Sequence, residues 1–544
     1  MLSYYYMITQ CIRTTIPSLF GIALLSLLPS LSNSAVQLPT LPQATIDTTY
    51  SPPNGNTITV NAGDNFQTAL NNANLGDTIV LQAGATFTGP FILPNKTSGA
   101  GWIYIRSSNY SKLPASGQRV NPDDAINMPK ILATSSGAIQ TATTAHHYRF
   151  VGIEVTLVSG TFTFNVITIG NSDISTNTLP HDITFDRCYI HGDPTVGSRR
   201  GVAMNGVRVA VVDSYVSDFK QQGSDTQALW AYNTPGPLKI TNNYLEAAGE
   251  NVMFGGADSQ ITNLVPSDIE IKHNYFFKPL SWIGSQWSVK NHLEFKNAQR
   301  VLVEGNLFEN VWRAAQGGVS LLITPRNQDG TAPWCVVQDI TVRLNRFINV
   351  GAGLGISGRD GNQSQIMNRG LFQNNVFQVK SLNGSSPKIL SIQAGPKNIT
   401  IDHNTGFSAT SFGSFDNIQQ GDGFVYTNNI MTYGNYGFGS SQGEGTIALN
   451  GQFTNWTFAN NAIISDPYKP SNYPSNNFFP ATIMAVGFVN YEVGDYHLSA
   501  SSPYKNVGTD GLDLGADIDA IANASTGVAG NGPLSPLSSP PYFK

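Results

Sequence analysis

An all-β, single-stranded right-handed parallel β-helix solenoid with an N-terminal capping helix is the fold class this chain predicts. Three observations predict it: a recurring strand phrase, the spacing of its copies, and a second strand column in step with the first. The phrase reads apolar, any, apolar, any, any, Asn. It is complete in Ile269-Glu-Ile271-Lys-His-Asn274, Val301-Leu-Val303-Glu-Gly-Asn306 and Ile340-Thr-Val342-Arg-Leu-Asn345. Asn243, Asn375, Asn404, Asn429 and Asn461 hold the same place in other copies, and Ile153, Cys188 and Ser214 hold it upstream.

Apolar residues alternating with polar ones are a strand signal. The copies return after 25 residues (Asn404 to Asn429) to 39 residues (Asn306 to Asn345), so each is one coil of a solenoid. Strands that return once per coil pair in parallel, and their crossovers are right-handed. Asparagines stacked in register are then expected to hydrogen-bond along the axis. The second column precedes each Asn phrase: Val202-Ala-Met204, Leu229-Trp-Ala231, Val252-Met-Phe254, Leu293-Glu-Phe295, Leu321-Leu-Ile323, Leu354-Gly-Ile356, Leu390-Ser-Ile392 and Ile447-Ala-Leu449. Side chains alternate faces, so the middle residue of each triplet and the residue after it point outward.

The ends read differently. Arg13, the apolar stretch Ile16 to Leu31 and Ser32-Asn-Ser-Ala35 have the layout of a secretory signal over residues 1–35. An exported, extracellular or periplasmic protein follows, with no membrane attachment once the signal is removed. Residues 36–55, rich in Pro and Thr, read as a linker, 56–523 as the β-helix with its caps, and 524–544 as a flexible Pro/Gly/Ser tail. Phe66, Leu70 and Ala73 share one face of a short helix that Asp64 can cap. Laid over the first coil, that helix covers an open sheet edge. A capped solenoid needs no partner, so a monomer is expected.

Only 12% of residues are charged and the net charge is -5, with no basic patch interleaved with aromatics, which excludes nucleic acid as a partner. Cys188 and Cys335 lie about five coils apart, roughly 20 Å at a strand spacing of about 4.8 Å, too far for a disulfide. Asp510, Asp513 and Asp517 do not have calcium-loop spacing and read as turn and cap residues.

Chemistry concentrates in the central coils. The middle outward residues there are Trp230, Met253, Glu294 and Leu322, where outer coils offer Ala203, Gly355, Ser391 and Ala448. Tyr232 and Lys296 follow their triplets, Arg326 comes shortly after its own, and Glu250 opens the strand at Val252. Trp230, Trp282, Trp287, Trp312 and Trp334 fall in the same stretch. Aromatic faces suit sugar rings, so these tryptophans and Tyr232 are candidate substrate contacts, with loop packing as the competing reading. For Glu294 and Lys296 the alternatives are a surface ion pair and a base or metal site that crosses coils.

The order of these features resembles the alginate lyase and chondroitinase B family of β-helix polysaccharide lyases. The resemblance rests on Gly249-Glu250, then Glu294-Phe-Lys296-Asn297, then Asn306, then Thr324-Pro-Arg326-Asn327. It implies a polysaccharide partner and β-elimination at a uronate, with Lys296 as base and Arg326 as acid partner. It also implies Ca2+, with Glu250 and Glu294 as ligands. The pattern departs from the family: one Glu, not two, precedes the Lys, and the phrase around Arg326 lacks a His. Two other readings stay open. One is a glycoside hydrolase using two carboxylates from Glu250, Asp258, Glu294 and Asp329. The other is a non-catalytic sugar-binding or surface protein.

Overall fold

The computed structural model describes residues 36–465 and 470–529. The expected signal, 1–35, and the tail from 530 lie outside the described residues. Each coil contributes one strand to each of three long sheets. Sheet 1 has 14 strands, from Thr57–Val60 to Trp456–Ala459. Sheet 2 has 13, from Thr86–Thr88 to Ala462–Ile464, and sheet 3 has 13, from Phe91–Leu93 to Gly443–Glu444. Every neighbouring pair is parallel until the last pair of sheet 3, where Phe438–Ser440 and Gly443–Glu444 run antiparallel. The chain is a parallel β-helix.

The inward residues stack by kind. Phe276, Phe308, Phe347 and Phe377 form a column with ring centroids 4.5 to 4.6 Å apart. The asparagines form another, fully buried at the turn from sheet 1 to sheet 2. Asn306 is typical: its Oδ1 accepts from the Asn274 backbone N–H at 2.9 Å and from Asn274 Nδ2 at 3.0 Å. Its own Nδ2 donates to Asn345 Oδ1 at 2.9 Å and to the Ile271 carbonyl at 2.9 Å. The pattern runs from Ser214 through all eight asparagines and on to Asn477, a ninth member that the phrase does not announce. The residue before each of the eight sits in the left-handed region, with φ from +48° at His403 to +66° at Gly305. That conformation makes the turn sharp enough for the amide to reach the next coil.

The first helix, Phe66–Asn72, buries Phe66, Ala69 and Leu70. Its cap is Asn65, whose side chain accepts from the Thr68 N–H, whereas Asp64, the expected cap, accepts from the Asn61 N–H. The sheet 3 column also ends differently from expectation. Ile447-Ala-Leu449 lies in a helix, Thr446–Gln452, with Ala448 buried, and the column passes instead through Ser411–Phe415 and Phe438–Ser440. Cys188 and Cys335 are buried and free.

Residues 36–55 lie along sheet 1 as a strap. The N–H groups of Gln37, Thr40 and Gln43 donate to Asn398, Asp339 and Asp268 at 3.1, 3.0 and 2.9 Å. Those acceptors are two coils apart each time. Three residues of polyproline II rise about 9.3 Å, and two coils of parallel strands span about 9.6 Å, so the Gln-Leu-Pro-Thr-Leu-Pro-Gln run keeps step with the solenoid. Pro39 and Pro42, which have no N–H, fall between the donors. Farther on, Arg149 holds the Thr48 and Thr49 carbonyls.

The other end covers sheet 2. Val486, Tyr496, Leu514, Ile521 and Val528 pack on the outward Leu307, Ile348, Val376 and Phe407. Arg119 then donates to the Val528 carbonyl at 2.7 Å, so residues 524–529, the start of the expected tail, are seated on the solenoid. Asp517 caps the helix Ile518–Ala524, and Asp510 and Asp513 accept backbone N–H groups in turns. Among the described residues no helix is long and apolar enough to cross a membrane.

Two outcomes follow. Asn306→Leu leaves several buried donors and acceptors unpaired and costs on the order of 3–5 kcal/mol, read as a lower denaturant midpoint; an unshifted midpoint would show the column to be decorative. In hydrogen exchange, Asp339→Ala speeds the Thr40 amide more than those of Gln37 and Gln43. Equal acceleration of all three would mean the strap detaches as a unit.

Candidate active site

Sheet 3 presents two outward rows in its central coils. Pairing register aligns Arg200, Gln227 and Glu250, and extends to Asn291 two residues before Leu293. The second row runs Ala203, Trp230, Met253, Glu294, Leu322, Gly355 and Ser391. Parallel pairing sets neighbouring coils about 4.8 Å apart, so residues of one row touch although 23 to 41 positions separate them.

A polar relay occupies the first row. Arg200 Nε donates to Gln227 Oε1 at 2.8 Å, and Gln227 Nε2 donates to Glu250 Oε2 at 2.7 Å. Lys290 pairs with Asp225 and stands 3.9 Å from Glu250 Oε1. In the second row Lys296 Nζ lies 3.5 Å from Glu294 Oε1, and Asn291 Nδ2 donates to Glu294 Oε2 at 3.1 Å. Three carboxylates and two ammonium groups thus share the floor of this face.

Burial decides their charges. Glu250 is wholly buried, and its pKa is pushed up to about 7, first by that burial and then by the negative charges of Glu294 and Asp225. Lys290 and Lys296 oppose the rise only in part. Burial would raise Asp225 as well, but the Lys290 hydrogen bond and the charges of Lys290 and Lys296 bring it below its usual range. Beneath the site, buried Lys278 donates to the Ala247, Ala248 and Gly249 carbonyls at 2.6, 3.1 and 2.7 Å. That grip fixes the turn from which the Glu250 strand starts.

The predicted residues divide. Glu250, Glu294 and Lys296 come together. Arg326 reaches them through its backbone, its N–H donating to the Lys296 carbonyl at 3.0 Å, but its guanidinium turns to Asp360 Oδ2 at 2.7 Å. Asp258 is buried, and its Oδ2 accepts from the Asp329 and Thr331 N–H groups, so it pins the loop on which exposed Asp329 sits.

The tryptophans are packed more than presented. Trp312 is fully buried, and Trp282 nearly so, in a cluster with Ala248 and Val289 that half-buried Trp287 joins. Trp334 donates to the Leu264 carbonyl. Trp230 lies on the sheet with Tyr232 stacked 4.6 Å away and the Arg200 guanidinium 3.9 Å over its ring. Of the two readings, loop packing describes Trp312 and Trp282, while Trp230, itself buried, and half-buried Tyr232 sit in the outward rows.

Asp225, Gln227, Lys290, Asn291 and Arg200 were not singled out from sequence. Extending each outward row two residues upstream of its triplet would have found Gln227, Glu250 and Asn291 together. Past Leu322 the same face continues as a furrow. One cavity of about 510 Å3 is lined by Arg313, Val319, Lys388 and Ser391, and another of about 620 Å3 by Lys388, Ser414, Tyr436 and Glu444.

Oxygen donors for a cation are present. Glu250 Oε1 and Asn291 Oδ1 are buried and find no hydrogen-bond donor among the described residues. They occupy one row on neighbouring coils beside Glu294, and hard oxygens of this kind fit calcium.

No family model matches the sequence, and no curated protein matches it. Solved structures are similar in fold. A pectate lyase is 14% identical with a TM-score of 0.33, covering 85% of this chain and 96% of that one. The catalytic unit of a GH87 alpha-1,3-glucanase from Streptomyces thermodiastaticus is 11% identical at 0.48, covering 77% and 70%. An alginate lyase of the PL6 family is 14% identical at 0.46, covering 84% and 58%.

The raised Glu250 pKa has a consequence for stability. The folded state keeps a proton there that the unfolded chain loses near the usual carboxylate value, so the folded state binds more protons between about pH 4.5 and 7. Stability from this group is present below that window and lost as pH rises through it. In a chelating buffer, wild type should lose on the order of 3 kcal/mol across the window relative to Glu250→Gln. Parallel stability curves for the two proteins would refute the shift.

Proposed function

We propose that this chain is a polysaccharide lyase that cleaves a uronate-containing polymer by β-elimination, with the polymer lying along sheet 3. The observation that carries the reading is Lys296: a largely buried amine on sheet 3, 3.5 Å from the Glu294 carboxylate and with its carbonyl accepting from the Arg326 N–H. The order of motifs that resembles the alginate lyase and chondroitinase B family supports the same assignment.

In this reading Lys296 takes the proton from C5 of the uronate. The electron pair forms the C4–C5 double bond while the C4–O bond breaks, and the leaving glycosidic oxygen takes a proton from water while the Arg326 guanidinium meets its developing charge. Lysine suits the first role because its pKa responds to surroundings, whereas arginine stays charged and steers the anion. Glu250, Glu294 and Asn291 would hold calcium, which when bound neutralises the uronate carboxylate and so favours loss of the C5 proton. Tyr232, half-buried and stacked on the buried Trp230, is the aromatic that a sugar ring would meet.

One observation favours a second reading. A carboxyl with its pKa pushed up to about 7 is suited to general acid work, so Glu250 with Glu294 would serve a glycoside hydrolase.

The deciding assay offers the full chain alginate, pectate, chondroitin and neutral glucans, with and without calcium. It follows both the ultraviolet absorbance of unsaturated uronates and the release of reducing ends. Absorbance rising on a uronate polymer supports the lyase. Reducing ends without absorbance favour the hydrolase, and binding without either signal removes catalysis. Lys296→Arg keeps the charge that pairs with Glu294 but supplies no base, so elimination should fall by about 10²- to 10⁴-fold at a nearly constant melting temperature. Full activity in that variant would remove Lys296 from the chemistry.

A further inference from the structure

We propose that His146, His147 and His181 form a binding site for a zinc-class divalent cation at the start of sheet 1, separate from the sheet 3 face. Three of the chain's eight histidines gather there. One ring nitrogen from each lies within 4.8 Å of the others.

The backbone builds the cluster. His146 and His181 begin the strands His146–Val151 and His181–Asp186 and are direct partners in parallel register. Their rings stack 4.7 Å apart with planes only 3° from parallel. Consecutive strand residues normally point to opposite faces. His147 instead has φ of +58°, a left-handed residue inside a strand, and this turns its ring to the same side as His146. His146 Nδ1 and His147 Nδ1 then face each other at 2.7 Å. Two imidazole nitrogens that close share one proton or one cation. The Trp102 ring meets His147 edge-on at 5.3 Å and fixes its tilt.

The surroundings suit a dication. Asp182 Oδ2 is 2.6 Å from His181 Nδ1 and 4.0 Å from His147 Nδ1, so a carboxylate serves two of the three rings. Arg208 Nε donates to the other carboxylate oxygen, Oδ1, at 2.7 Å and orients the group. A carboxylate beside ligating histidines is the usual second layer of a transition-metal site. Burial and then the His181 imidazole keep His146 below the usual histidine pKa; burial does the same for His147 against the pull of Asp182. Neutral imidazoles are the form that binds metal. The His147 and His181 side chains are 33% and 31% exposed, so an ion enters directly from solvent. Imidazole donors select zinc, nickel or copper over calcium. A bound ion would tie two successive coils together near the first turns of the solenoid.

Along this edge the same left-handed position carries ion pairs, Asp182 with Arg208, Asp268 with Arg300 and Asp339 with Arg369. The coil before Asp182 puts an imidazole, His147, at that position instead.

The test uses the untagged full chain stripped with a chelator and titrated calorimetrically with zinc chloride, and separately with calcium chloride. Wild type should take up one zinc per chain at this site, and its melting temperature should rise with zinc. His147→Gln and His181→Gln should each weaken that binding by at least about tenfold, while Glu250→Gln leaves it unchanged. Cobalt in place of zinc should give visible absorption in wild type that His147→Gln loses. His147 is part-exposed, and a melting curve without metal checks that this variant folds. No stoichiometric zinc uptake by wild type, uptake unchanged in both histidine variants, or uptake lost in Glu250→Gln would each overturn the site.

Discussion

The structure depends on one buried hydrogen bond repeated from coil to coil: an asparagine Oδ1 accepting from the backbone N–H of the asparagine one coil earlier. Side-chain period in a strand is two, so a slip of one residue turns every outward group inward. The asparagine blocks that slip because its amide meets backbone groups of the coil before it in one register only, Asn306 those of Asn274 and Ile271, and the left-handed residue before it sets the distance. Asn274, Asn306 and Asn345 flank the coils that carry Glu294, Lys296 and Arg326. A carboxylate and an amine 3.5 Å apart on one strand, with a further acid on the strand before, need that register held on both sides.

A solenoid with three faces has three surfaces to cover, and the chain uses its two ends on two of them. The strap on sheet 1 works by a match of periods, three polyproline residues to two coils, so donors meet acceptors without strain. The C-terminal segment on sheet 2 works by apolar burial, with Val528 and Ile521 closing over residues such as Leu307 that would otherwise face water. Sheet 3 receives neither. Its floor is small in the later coils, with Gly355, Ser391 and Ser414, and charged in the middle ones. Coil length follows the same division. The 39-residue coil from Asn306 to Asn345 supplies the loop of Arg326 and Trp334 beside the charged floor, whereas the 25-residue coil from Asn404 to Asn429 has little to spare for walls.

The strand columns were legible because each is an alternation with a period of two tied to a buried residue, and Asn306 or Leu293 announces its slot by type. Pairing across coils followed from repetition alone. Ile447-Ala-Leu449 misled because apolar, small, apolar also suits one side of a short helix, and only the helix Thr446–Gln452 shows which period won. The tryptophans were harder. Trp312 and Trp282 have the composition of a sugar platform, but whether an indole faces solvent depends on loop packing, here Val289 and Ala248, which no spacing encodes. Lys296 with Glu294 was readable from a single strand. Asp225, Lys290 and Asn291 were not, since their meeting with Glu250 depends on which residue of one coil lies over which residue of the next.

The charges on sheet 3 explain why Glu250 is the pivot of the site. Asp225, Glu250 and Glu294 bring three acids against the two amines of Lys290 and Lys296. Asp225 is satisfied by Lys290 and Glu294 by Lys296 and Asn291, which leaves Glu250 as the surplus. Ionising a fully buried carboxylate with one oxygen lacking a donor costs several kcal/mol, so the group holds its proton up to about pH 7. A cation placed at Glu250 Oε1 and Asn291 Oδ1 removes that cost and releases the proton. Below about pH 7 the floor therefore keeps one of its three acids neutral.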